Sequence, residues 1–109
     1  MRPLFYRLDQ NHIPVPVESA LEMQWVRVAY TKLLGVWVST VFLALDHCWD
    51  SGHPVLFETM IFGGLLDQEQ YRYHTWEEAV VGHRRAVRQA FWAPVTSVVQ
   101  RVRSAWRGK

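Results

Sequence analysis

Four side chains in the middle of the chain have the types that carry acid–base or metal-assisted chemistry: Asp46, His47, Glu58 and His83, with His53 close by in sequence. Imidazole and carboxylate together bind divalent metals and also form proton-transferring pairs. Asp46, His47 and Glu58 are therefore the candidate metal ligands and, with His83, the candidate catalytic residues. Strand register decides which of them meet. If Asp46–His47 end one strand and Glu58 lies on its antiparallel neighbour, facing residues sum to a constant. An even sum, such as Ala44 opposite Glu58, puts Asp46 on the face of Glu58. An odd sum puts His47 there, because a one-residue slip turns every side chain over. The simpler alternative is a carboxylate that accepts from a neighbouring strand or from an arginine such as Arg72, beside a strand-end histidine at the surface. No HExxH, no Cys-x-x-Cys pair and no familiar histidine spacing supports a metal site, so the simpler alternative ranks first. His83 falls on the apolar stripe of a helix. Its default role is a buried, hydrogen-bonded core histidine; a helix packed across the hairpin would instead let it reach Glu58. Cys48 is the lone thiol. It follows His47, but adjacent strand residues point apart, and no helix N-terminus stands ready to depress its pKa. Catalysis by Cys48 is disfavoured.

A second constellation lies at the C-terminal end. Residues 84–109 contain seven basic and no acidic residues, whereas residues 1–83 contain five basic and all ten acidic ones, a formal −5. Arg84, Arg85, Arg88, Trp92, Arg101, Arg103, Trp106 and Arg107 are the candidate binding residues. Arginine and tryptophan together suit nucleic-acid phosphates and bases, an acidic protein surface, or an anionic membrane. The plain alternative, ranked first, is a solvated cationic helix surface that aids solubility.

The elements that must position these residues follow from pattern. Residues 4–17 look extended around a turn at Asp9–His12, and Pro14 and Pro16 confine this piece to a sheet edge. Ser19–Glu22 matches a capping box opening a short helix to about Trp25. Val26, Val28 and Tyr30 then alternate as in a strand. Gly35 marks a turn before a long strand, Val36–His47, with apolar residues in both registers, which suggests burial on both faces. Val55–Phe62 is the next strand, ended by Gly63-Gly64, and the two should form a central antiparallel hairpin. A connector follows, with a short extended piece at Tyr71–Tyr73. Thr75–Glu78 is a second capping box, with Glu77 and Glu78 placed to suit the helix dipole. The helix Trp76–Trp92 carries an apolar stripe of Trp76, Val80, His83, Val87, Ala90 and Phe91. Pro94 breaks it or starts a new one, and Val95, Val98, Val99, Val102 and Trp106 line a basic amphipathic helix. That stripe packs on the core, or else meets a partner or a second copy; a membrane ranks last.

The fold class expected is α+β: an antiparallel sheet of about four strands with helices packed on one face and a basic C-terminal helix. Residues 1–92 form the core domain; residues 93–109 belong to it or serve as an interaction arm. The 109 residues suffice for one core, and six Trp argue against disorder. No apolar run reaches the roughly 20 residues of a membrane span, no signal peptide opens the chain, and a single cysteine excludes an internal disulfide. These features point to the cytoplasm.

TVFLALDHCWDSGHPVLFETMIFGG, followed by YRYHTWEEAVVGH, resembles a group of small uncharacterised bacteriophage and prophage proteins. The group's pattern is TVFLGLDH, a glycine-rich loop, LLFETMVFGG and RYxTWEEAxxGH. The residues that match include Thr40, Phe42, Leu43, Asp46, His47, Pro54, Leu56 to Met60, Phe62, Gly63, Gly64, Asp67, Arg72, Tyr73, Thr75 to Ala79, Gly82 and His83. The opening YRLDQNHIPVPV fits the group's LDxxGxPVP, with His12-Ile13 where a glycine is usual. Ala44, at a position where the group tends to glycine, and the Cys48-Trp49 loop depart from the pattern. The likeness spans residues 6–83. It implies a phage origin and supplies no mechanism.

The leading expectation is a phage-encoded, non-catalytic binding protein without a cofactor, acting against a bacterial defence system. It would be an anti-CRISPR-type inhibitor offering a charged face to a host protein or nucleoprotein complex, or a sponge for a nucleotide signal. The alternatives are a small metal-dependent hydrolase using Asp46, His47 and Glu58, and a nucleic-acid-binding accessory protein acting through the basic C-terminal end. A homodimer is compatible with each.

Overall fold

Asp9 turns the chain at its first hairpin. In the computed structural model, which describes residues 3–47 and 52–107 (side chains at 95–99 and 107 aside), Asp9 Oδ1 accepts the N–H groups of Asn11 at 2.8 Å and Ile13 at 2.9 Å. His12 takes a left-handed φ of +62°. The turn joins β1 (Phe5–Leu8) to β2 (Pro14–Val17) as an antiparallel pair. The prolines of β2 cannot donate to a ladder, and β2 has β1 as its one neighbour in a two-stranded sheet.

Ser19 then caps a single 3-10 turn, Ala20–Glu22, through the expected reciprocal box with Glu22. The turn stops before Trp25 because Met23 is already extended. β3 (Val26–Leu33), β4 (Val36–Phe42), β5 (Phe57–Phe62) and β6 (Gln70–Tyr73) form one antiparallel sheet in sequence order, so the β4–β5 hairpin is central. The expected α+β class, with about four strands in the sheet, holds. β4 ends at Phe42 rather than His47, because Ala44 adopts a φ of +61° and breaks the extended run.

α1 runs from Trp76 to Arg107. Thr75 Oγ1 accepts the Glu78 N–H at 3.1 Å, and Glu78 Oε1 accepts the Thr75 N–H at 3.1 Å, satisfying donors a helix start leaves without intrahelical partners. The helix continues through Pro94 instead of breaking there. Its inward stripe holds in part: Trp76 and Val87 pack against the core as expected, and smaller residues join them. Ala79, Gly82, His83, Ala86 and Ala90 are buried, while Phe91 is exposed. Small residues let the helix lie close to the sheet: a Cβ on Gly82 would stand 2.2 Å from the Tyr73 ring. α1 packs against all four strands of the large sheet. Two apolar clusters result, one of Tyr6, Leu8, Phe42, Ala44, Leu56, Phe57 and Ala79, the other of Val38, Ile61, Ala86 and Ala90. The helix, roughly 48 Å long at 1.5 Å per residue, outruns the sheet. Arg101, Val102, Arg103 and Trp106 are all exposed on the part that projects.

Candidate functional site

The proposed acid–base and metal cluster is taken apart by the sheet. Val41 faces Glu58 and Phe42 faces Phe57, so the register sum is odd. Parity would place His47 on the face of Glu58, but β4 ends before parity can carry that far. Glu58 instead accepts from Arg72 Nε at 3.0 Å, its register partner on β6. Asp46 is buried, and its Oδ1 accepts the Val55 N–H at 3.1 Å. His47 is tied by its own N–H to the Val55 carbonyl at 3.0 Å. His53 meets His74 edge-on, ring centroids 6.0 Å apart. Among the described residues, no three His, Cys, Asp or Glu side chains are grouped to hold a metal ion. Cys48 lies outside the described residues.

His83 does not reach Glu58, because the two stand on opposite faces of the sheet. It is 5% exposed. Its Nε2 lies 2.9 Å from Thr31 Oγ1 and its Nδ1 2.8 Å from Thr40 Oγ1, which in turn contacts Thr59 Oγ1. One hydrogen-bonded chain thus ties α1 to β3, β4 and β5. Burial pushes the imidazole below the ordinary histidine range, favouring the neutral ring. Tyr71 is also displaced, pushed up to about 12 by its hydrogen bond to the Glu69 carboxylate and, after that, by burial.

The basic residues of α1 are divided between flanks. Arg84 and Arg88 line a groove with Thr31 and Val87, whereas Arg85 stands beside Tyr73, Glu77 and Glu78. Trp92 is exposed and packs edge-on against Phe91 at 5.2 Å. The side chain of Arg107 lies outside those described. Arg88 and Trp92 also share a groove with Leu65 and Leu66, while Arg85 stands on another flank.

The feature that the sequence reading missed lies on the other side of the sheet. With α1 on one face, the alternate residues of β3–β6 point away from it. Register arranges them in three rows. Lys32, Trp37 and Phe62 form the first; Tyr30, Ser39, Met60 and Gln70 the second; Arg27, Val41, Glu58 and Arg72 the third. Tyr30 is 46% and Trp37 39% exposed, and Trp25, just before β3, is 63% exposed. The rings and cations are mutually placed. Trp37 and Phe62 have centroids 6.3 Å apart. Lys32 Nζ lies 5.6 Å from the Trp37 centroid. The Arg27 guanidinium lies 4.8 Å from the Tyr30 ring and 5.8 Å from the Trp25 ring, within cation–π range. The expected burial of the central strand on both faces is thus wrong for this side. Its valines and aromatics are strand formers that line an uncovered surface. The signal in the sequence was the interleaving of Arg27, Tyr30 and Lys32 with Trp37.

A cleft of about 550 Å³ opens at the start of α1, lined by Tyr6, Pro14, His53, Leu56, His74 and Glu78 among others. Its polar groups are largely engaged: His74 Nδ1 contacts the Pro54 carbonyl oxygen at 2.9 Å, and Glu78 holds the helix cap. No helix among the described residues is long and apolar enough to cross a membrane. No protein-family model matches the chain, and neither a curated protein nor a solved structure matches it.

Proposed function

We propose that this chain is a non-catalytic binding protein whose working surface is the uncovered face of the β3–β6 sheet. The observation that carries this reading is the row Lys32–Trp37–Phe62, an aromatic pair with a cation beside it on a face that α1 does not cover. Large aromatic groups left in water on a rigid sheet are costly unless a partner uses them. The residues suited to catalysis support the same reading from the other side, since Asp46, Glu58 and His83 each hold a different part of the fold together.

The resemblance of residues 6–83 to phage and prophage proteins supports a phage origin, and with it a role in countering a bacterial defence. An aromatic, cationic face would serve either an anti-CRISPR-type inhibitor engaging a host nucleoprotein complex or a sponge for a nucleotide signal, and neither needs a catalytic group. The test is site-specific photocrosslinking in bacterial cells. A benzophenone side chain at position 62 or 30 should trap a host component, and one at Leu21, exposed but off this face, should not. Adducts formed only from position 103, on the projecting part of α1, would move the working surface to the basic C-terminal end.

A further inference from the structure

We infer that the uncovered sheet face binds single-stranded nucleic acid, with bases stacking on Trp37 and Tyr30 and phosphates meeting Lys32 and Arg27. This rests on the reading of that face as the working surface and names its ligand.

Charge favours this occupant. Residues 1–83 carry a formal −5, yet three of their five basic residues, Arg27, Lys32 and Arg72, stand on this one face. The one acidic residue in its three rows, Glu58, is paired with Arg72. An otherwise acidic body thus presents a locally cationic face, which attracts a polyanion. A second copy docked face to face would set one cationic face against another.

Ring placement favours single strands over duplexes. Tyr30 faces Ser39, two residues from Trp37 on β4, so the rings are diagonal neighbours. That geometry separates them by roughly 7–8 Å. A duplex stacks its bases at about 3.4 Å and offers no ring face to a flat surface. An opened strand can lay a base on each ring as the cation now over that ring, Arg27 on Tyr30 and Lys32 on Trp37, turns aside to meet the adjoining phosphate. Aromatic stacking on a sheet tolerates any base, so weak sequence preference is expected.

The test is fluorescence anisotropy of the full chain with a short labelled oligothymidylate, an oligouridylate and a DNA duplex of the same length. Saturable binding of a single strand, at least about tenfold tighter than the duplex, is expected. Trp37→Ala and Tyr30→Ala should each weaken it about tenfold, and Trp37→Phe should restore most of the loss. Arg27→Gln with Lys32→Gln should flatten the dependence on salt and decides the matter if an alanine variant fails to fold. Arg101→Gln with Arg103→Gln should change little. No saturable binding of either single strand, or undiminished binding by the Tyr30→Ala/Trp37→Ala double variant, overturns the inference. If binding fails while position 62 still traps a host protein in cells, the ligand is a protein and the working surface stands. If position 62 also traps nothing, both fall.

Discussion

His83 on α1 and Thr40 on β4 meet at 2.8 Å beneath the helix, and this contact, continued to Thr31 and Thr59, fastens the helix to three strands at once. Removing the imidazole leaves buried hydroxyls without their partner. His83→Ala should therefore cost about 2–3 kcal/mol of unfolding free energy. Urea denaturation measures it, and a loss below about 0.5 kcal/mol would show that the hydroxyls find other partners.

The same histidine makes stability depend on pH. Its folded pKa lies below the ordinary value of about 6.5. Between those two values the unfolded chain holds more protons than the folded one, so stability falls as pH falls. The His83 contribution is complete above about pH 6.5 and is lost as pH drops toward the folded pKa. Urea midpoints taken from about pH 7.5 to pH 5 should decline more steeply for the native chain than for His83→Gln. Parallel slopes would place the titrating group elsewhere.

Backbone strain gives a pair of opposite expectations. Ala44 is buried at a φ of +61°, a conformation that costs a residue with a Cβ roughly 1–2 kcal/mol. Ala44→Gly should relieve part of it, for a net gain of about 0.5–1 kcal/mol after the entropy cost of glycine. Gly63 has a φ of +87°, and a Cβ there would lie 2.7 Å from the Gly35 carbonyl oxygen. Gly63→Ala should lose about 2 kcal/mol or more. Thermal melts of the two variants should move in opposite directions.

The separated carboxylates predict unequal losses. The Glu58–Arg72 pair is partly solvated on the open face, and Glu58→Ala should cost less than about 1 kcal/mol. Asp46 is buried and accepts the Val55 N–H, so Asp46→Ala should cost about 1–3 kcal/mol. Equal and non-additive losses of a hydrolytic activity in the two variants would instead revive the metal-site reading.

Much of the fold was legible because its signals are local. Both capping boxes and the turn at Asp9–His12 depend on neighbours a few residues away, whereas the alternation read in β3 is broken by a bulge between Arg27 and Ala29 that puts Tyr30 on the face of Arg27. The central hairpin followed from its glycine boundaries. What could not be read depended on layers. Trp37 and Val41 look as core-like as Val38 and Phe42, and only the placement of α1 decides which set it covers. The inward stripe of α1 was read incompletely for a related reason. Ala79, Gly82 and Ala86 are weak apolar signals, and their value lies in the close approach they permit to Tyr73 and the sheet. His83 was assigned correctly to the core, but its threonine partners come from three strands whose register the sequence leaves open. The aromatic and cationic rows went unnoticed because Arg27, Tyr30, Lys32, Trp37 and Phe62 are brought together only by pairing across β3, β4 and β5.

One double variant tests most directly whether a single set of strands serves the core on one side and a ligand on the other. Tyr30→Ala/Trp37→Ala should keep a melting temperature within a few degrees of the native chain while losing the host component trapped from position 62. A variant that melts far lower would assign both rings to the core. One that is stable and still captures its target from position 62 would show that neither ring carries the binding.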